Sequence, residues 1–440
     1  MNPAYPIAPV REYALAGAKV PQSLLEGRFP ADREGLARID LLVEDGRIAA
    51  LAPAGSIPAG DRPRLELGGS IALPLFVDAH THLDKGHIWP RAPNPDGSFA
   101  TALQTVKADR AANWTAEDVS QRMEFALRCA FAHGSTAIRT HLDSIGAQTR
   151  ISWPVFAATR DRWRGRIALQ ASPLFLAEYA FDETHMRDVE EMVDAHGSGI
   201  LGAVTYAMPR LGEALEILFR VAEKKAWELD FHVDETLDPE ARSLRTIAEM
   251  ALDRRFAGNI LVGHCCSLAV HGDDDAKRTI DLVAKAGIAV VSLPMCNLYL
   301  QDRAAGRTPR RRGVTALHEL KAAGVRVAVA SDNTRDAFHP NGDLDMIEVW
   351  REGARILHLD HPVERWAPAF FSEPAAILGL KGVGALGVGR SADMILTTAR
   401  SFTEFFARPQ VDRTIVRAGV AMADVPPSYS ELDDLKGLRP

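Results

Sequence analysis

Eight short apolar runs recur along this chain, and their spacing constrains the fold more than any other feature. They end near Asp78, Thr140, Ser172, Val204, His232, His264, Ser292 and Ser331, and after the first gap about 30 residues separate successive ends. The segments between them carry apolar residues at helical spacing, over 115–133, 186–196, 211–228, 243–255, 274–286 and 314–323. Thr115 with a carboxylate three residues on is helix-start chemistry. Near-continuous apolar strands alternating with amphipathic helices indicate parallel strands covered by helices. Eight of them predict a (β/α)8 TIM barrel in the α/β class, with an open doubly wound sheet as the other arrangement the rhythm allows.

The two ends of the chain break this rhythm. Ile39–Val43, Arg47–Leu51 and Arg64–Leu67 read as short strands between Gly and Pro turns, and so do Asp393–Thr397 and Thr414–Ala418. Chain termini often lie close together in space. The expected organisation is a discontinuous β-sandwich domain from residues 1–72 with 382–440, and a barrel domain over 73–381.

Composition narrows the partners. A net charge of −7 over 440 residues argues against a surface that tracks nucleic acid or an anionic membrane. The longest stretch without Asp, Glu, Lys or Arg, Phe256–Gly272, is 17 residues and holds two histidines, too short and too polar to span a bilayer. The N-terminal residues lack the basic and apolar regions of a signal peptide, so a cytoplasmic location is expected. Cys129, Cys265, Cys266 and Cys296 form no C-x-x-C pair, which disfavours a thiolate zinc site. The adjacent Cys265 and Cys266 read as buried packing.

The residues that carry chemistry fall at the predicted strand ends, where barrel enzymes gather their catalytic groups. Asp78-Ala-His80-Thr-His82 ends the first strand, His232 ends the fifth with Asp234 and Glu235 just beyond, His264 ends the sixth, and Asp332 follows the eighth. Residues i and i+2 of a strand share a face, so His80 and His82 can hold one metal ion. With a further histidine and an aspartate from other strands, the set suits zinc or ferrous iron. A core of satisfied histidines is the competing reading.

LPLFVDAHTHLDK and GVGRSADMIL resemble the first-strand signature and the returning β segment of the amidohydrolase superfamily. Within it, AIRTHLD at 137–143, LDFHVDETLDPEARS at 229–243 and the segment 294–325 are similar to the cytosine deaminase branch. Residues 331–346 are also similar to the aminohydrolase that removes the alkylamine of N-isopropylammelide. The resemblance spans roughly residues 40–420. It implies His80, His82, His232 and Asp332 as metal ligands, Glu235 as the proton-shuttling glutamate and His264 as a histidine beside the metal. The stretch 195–209 has no lysine to bridge two metals, which implies one divalent ion per chain, zinc or iron. The implied reaction is hydrolytic deamination of an aminated N-heterocycle, with water as co-substrate and ammonia as product. Asp332 would take a proton from the attacking water, Glu235 would protonate the ring nitrogen, and His264 would hydrogen-bond the tetrahedral oxygen.

The chain departs from cytosine deaminase where that branch grips its substrate. Leu174 stands where the branch has a glutamine, Asn333 where it has a second aspartate, and Phe338 where it has a stacking tryptophan. The expected substrate is therefore a small aminoheterocycle other than cytosine, shaped by Leu174, Asn333 and Phe338. Thr140, His141, Thr205, Tyr206, Leu298 and Gln301 are further pocket candidates. Two other functions fit less of the pattern: cleavage of a cyclic amide or substituted amine without ammonia, and a non-catalytic barrel. A homo-oligomer is the expected assembly.

Overall fold

The computed structural model of the chain describes residues 5, 7, 10–58 and 60–437. Sixteen strands occur among them, β1 (Glu12–Pro21), β2 (Leu36–Glu44), β3 (Arg47–Pro53), β4 (Arg64–Glu66), β5 (Ala72–Pro74), β6 (Phe76–Thr81), β7 (Ser135–Asp143), β8 (Ala168–Leu174), β9 (Ile200–Thr205), β10 (Glu228–Val233), β11 (Ile260–His264), β12 (Ala289–Ser292), β13 (Val327–Val329), β14 (Met394–Leu396), β15 (Thr414–Arg417) and β16 (Val420–Ala421). By packing, the chain divides into two compact units.

One unit comprises the described residues up to Val77, Cys129–Ala137 and Asp345–Pro426. It holds two four-stranded sheets, ordered β3-β2-β1-β4 and β16-β15-β14-β5. β1 is the long inner strand of the first, antiparallel to β2 and parallel to β4. Its interior residues alternate little, and Tyr13 through Ala18 are all buried. An aromatic cluster fills this unit's core: Trp350 meets the Phe370 ring at 5.3 Å, and Phe371 stacks on Phe76 at 4.3 Å. Both ends of the chain feed these sheets, as the turn-rich termini suggested. The packing edges differ from the cut expected at 72 and 382, because Asp345–Lys381 joins this unit and the described residues from Pro427 onward pack with the other.

The second unit contains the barrel. β9 to β13 form one parallel run in the order β13-β12-β11-β10-β9, and β6-β7-β8 form the other. Parallel bridges Leu176↔Val204 and Thr81↔Asp332 join the two runs at both seams. The eight strands thus close in sequence order, a (β/α)8 barrel rather than an open sheet. Most of their residues are buried, because helices cover one face and side chains fill the other. The helix Ala116–His133 begins as its sequence predicts, with the Thr115 hydroxyl accepting from Asp118 N–H at 3.2 Å. The helix Phe99–Asn113, capped by Ser98, is not evident from apolar spacing. Among the described residues, no helix is long and apolar enough to cross a membrane.

Candidate metal and catalytic centre

Strand geometry brings the chemistry-bearing residues to one end of the barrel. Asp78 and His80 share a face of β6, and His82 continues that face just past its end. Asp78 anchors the seam by accepting from Ser331 N–H at 3.2 Å and from the Ser331 hydroxyl. Across that seam Asp332 N–H donates to His80 O at 2.9 Å, and the Thr81 hydroxyl donates to Asp332 O at 2.8 Å. Asp332 and His264 sit at φ 65 and 69, and Asp234 and Cys265 at 46 and 50. Such left-handed residues cost about 1–3 kcal/mol each and concentrate at functional sites. Gly263 makes room beside the cluster, since a Cβ there would stand 3.0 Å from the His80 ring.

The four expected metal ligands converge. Asp332 Oδ1 lies 3.2 Å from His82 Nε2 and 3.5 Å from His80 Nε2, and His232 Nε2 is 3.4 Å from His82 Nε2. The His80, His82 and Asp332 ligand atoms fall within 4.8 Å of one another, and so do those of His80, His232 and His264. All of these residues are buried. Among the described residues, no hydrogen-bond partner meets His80 Nδ1 or Nε2, His82 Nδ1, His232 Nδ1, His264 Nε2 or either Asp332 carboxylate oxygen. Each such orphaned group costs about 1–3 kcal/mol unless a ligand satisfies it. Imidazole nitrogens and a carboxylate converging with unspent lone pairs fit a divalent cation.

Electrostatics prepares the set for that role. Burial pushes His82 down to about 4 and His264 down to about 3, and it holds His232 well below its ordinary value. Neutral imidazoles keep the lone pairs a cation needs. Burial alone would raise the Asp332 carboxyl, but the close approach of His80 and His82 overrides it and holds the group well below the usual carboxylate range. Glu235 moves the other way. Burial, and then the Asp332 charge, push it well above its ordinary value. One centre therefore contains a carboxyl group shifted toward its ionised form and another shifted toward its protonated form.

Glu235 is 12% exposed, with Oε1 3.4 Å from His264 Nδ1. The Asn297 amide donates to both, to Glu235 Oε1 at 3.2 Å and to His264 Nδ1 at 2.9 Å. Donation into Nδ1 leaves the His264 proton on Nε2. Thr315 donates to His264 O at 2.6 Å, and Gln301 donates to Glu235 O at 3.1 Å.

The three expected substrate contacts lie at the same strand ends. Leu174 closes β8 and is buried, with its carbonyl accepting from Ser144 N–H at 2.9 Å. The Asn333 amide donates to Asp336 Oδ2 at 2.7 Å, so one end of this side chain is already engaged. Phe338 is buried, with its ring edge-on to Phe99 at 5.5 Å. His87, five residues after His82, is buried.

His141, one of the further pocket candidates, lies two residues before the end of β7 with its ring 4.1 Å from His80, and Asp230 lies behind it, 3.9 Å from His141 Nε2. Asp230 precedes His232 by two and so shares its strand face, a signal the sequence did carry. Asn297 and Cys296 come from the short helix Pro294–Leu300, and nothing local marks them.

The sequence pattern of the amidohydrolase family matches residues 175–420. A pterin deaminase of Rhizobium rhizogenes (strain K84) is 49% identical over 425 residues, covering 97% of each protein. The N-isopropylammelide isopropyl amidohydrolase of Pseudomonas sp. (strain ADP) is 23% identical, covering 77% of this chain and 83% of that protein. Among solved structures, 5-methylcytosine deaminase from Klebsiella pneumoniae liganded with 5-fluorocytosine superposes with a TM-score of 0.80 at 22% identity, covering 94% of this chain and 98% of that one. N-isopropylammelide isopropylaminohydrolase from Burkholderia multivorans gives a TM-score of 0.74 at 24% identity, with the same coverage.

Proposed function

The chain belongs to the amidohydrolase family, and we propose that it deaminates a pterin, replacing the 2-amino group by an oxo group and releasing ammonia. Its activity class is metal-dependent hydrolytic deamination of an aminated N-heterocycle. The observation that carries the choice of substrate is the 49% identity to a pterin deaminase over 97% of both chains.

His80, His82, His232 and Asp332 would hold one divalent cation, zinc or iron. Such an ion supplies a water that ionises near neutral pH and a counter-charge for the oxygen that attacks. Asp332, held ionised, accepts the proton given up by that water. Glu235, kept protonated by burial, donates to the ring nitrogen next to the amino-bearing carbon and makes that carbon electrophilic. His264, with its proton on Nε2, hydrogen-bonds the tetrahedral oxygen. Asp332 then passes its proton to the amino nitrogen and Glu235 recovers one from the hydroxyl, so that the C=O bond forms as the C–N bond breaks and ammonia leaves. Leu174 and Phe338 give the pocket apolar walls, and Asn333 gives it a polar edge. A cytoplasmic setting belongs to the same reading.

Ammonia release from a panel of pterins, aminopyrimidines and aminotriazines tests this. Turnover of pterin above the monocyclic compounds is expected. Ring opening of cyclic amides, or alkylamine release without ammonia, would overturn it.

A further inference from the structure

The centre contains a buried ammonium that the steps above leave without a task. Lys85 is 4% exposed and follows His82 in a tight turn, its backbone N–H 3.3 Å from His82 O. Burying an ammonium costs several kcal/mol unless its three donors are met. Its ion-pair partner is Asp143, with Nζ 3.2 Å from Oδ1. Asp143 does not depend on it, because Arg110 takes the other carboxylate oxygen at 2.6 Å. Three further carboxyls feel the Lys85 charge, and each has a donor of its own, which for Glu235 is the Asn297 amide at 3.2 Å. Asp84 accepts from Asp143 N–H at 2.9 Å and from the Ser152 hydroxyl at 3.0 Å. Asp336 accepts from the Asn333 amide at 2.7 Å and from Phe338 N–H at 2.8 Å.

The ammonium is also aimed. Lys85 Nζ lies over the Phe338 ring, 5.1 Å from its centroid. This puts a cation with unspent N–H groups beside a residue that we assign to the substrate pocket. A cation there suits an acceptor on the substrate. A ring oxo oxygen takes a charge-assisted hydrogen bond, whereas an amino group at the same position would turn its own protons toward the ammonium.

We propose that Lys85 is a specificity-determining residue that donates from Nζ to a ring oxo oxygen of the substrate. It thereby selects oxo-bearing aminoheterocycles over their diamino counterparts. The inference rests on the deaminase reading and extends it to the side of the ring away from the bond that breaks.

The test compares pterin with 2,4-diaminopteridine, in which a donor replaces the oxo acceptor. Dissociation constants are measured by calorimetry on metal-loaded protein in the Glu235→Gln background, where turnover is suppressed, with and without Lys85→Met. With Lys85 present, pterin binds about 10- to 100-fold tighter, the scale of a charge-assisted hydrogen bond. With Lys85→Met the preference falls to within about twofold. Arg110→Met removes the other cation from Asp143 and should leave the preference intact. If Lys85→Met does not fold, Lys85→Arg takes its place, and the shifted donors should lower the preference at least about threefold. A preference that survives both Lys85 variants overturns the assignment, as does its absence while Lys85 is intact or its collapse in Arg110→Met. Ammonia release by the unsubstituted protein is read separately. Its absence alongside an intact binding preference overturns the deaminase reading alone, and binding of neither compound overturns both.

Discussion

The Asn297 side-chain amide donates to His264 Nδ1 at 2.9 Å, and this contact fixes which imidazole nitrogen faces the metal cluster with a proton. Replacing Asn297 by alanine frees the ring to take either tautomer. The expected result is a fall in kcat of about 10- to 100-fold, with metal content and the circular dichroism spectrum unchanged. A fall in metal content of the same size would instead make Asn297 a support of the cation site.

Glu235 carries a narrower expectation. Glu235→Gln keeps the shape but cannot shuttle a proton, so ammonia release should drop at least about 10²-fold while the metal stays bound. Elemental analysis of the same preparation checks the second half. Unchanged turnover would remove Glu235 from the mechanism.

Removal of the cation has a stability signature as well as a kinetic one. The orphaned imidazoles and the Asp332 oxygens are buried, and a ligand that binds only the folded chain stabilises it by mass action. Dialysis against a chelator should abolish deamination and lower the thermal midpoint, and zinc or ferrous iron should restore both. Elemental analysis of the restored protein should give one ion per chain.

Asp345 gives a pH test. It caps the helix Met346–Leu357 by accepting from Ile347 N–H at 3.0 Å, and it pairs with Arg413 at 2.7 Å. Burial would raise its pKa, but the Arg413 charge, His133 and the hydrogen bonds from Arg413 and Ile347 together outweigh it, and the group ends below its ordinary 3.8. A carboxyl lowered by folding stabilises the native state in full above 3.8 and loses that contribution as pH falls from there through the folded value. Asp345→Asn keeps the cap and breaks the pair, for a loss of about 3 kcal/mol at neutral pH. The gap in thermal midpoint between the two proteins should hold constant from pH 7 down to about 4 and narrow below that. A gap that widens on acidification would contradict this assignment.

The sequence was most legible where burial is complete. Most barrel strands hold a short apolar run, so the run itself announced the strand, and His80, His232 and His264 could be placed at strand ends before any coordinates. β1 was missed because EYALAGAKVP is made of small residues and ends in proline, and it becomes a strand only through its neighbours β2 and β4. The helix Phe99–Asn113 buries only Ala102, Val106 and Asp109, too little to leave a periodic signature. Asn297 and Lys85 were invisible for a different reason. Their significance comes from what the neighbouring strand and its loop present, His264 in one case and Phe338 in the other. Residues contributed by separate βα loops meet only after closure.

That closure has a kinetic consequence. Thr81 and Asp332, which bond across the final seam, are separated by 251 positions. A nascent chain exposes His80 and His82 long before Asp332 leaves the ribosome, so the early histidines can offer at most a bidentate grip to passing ions. The full ligand set comes into being only when the last strand docks beside the first.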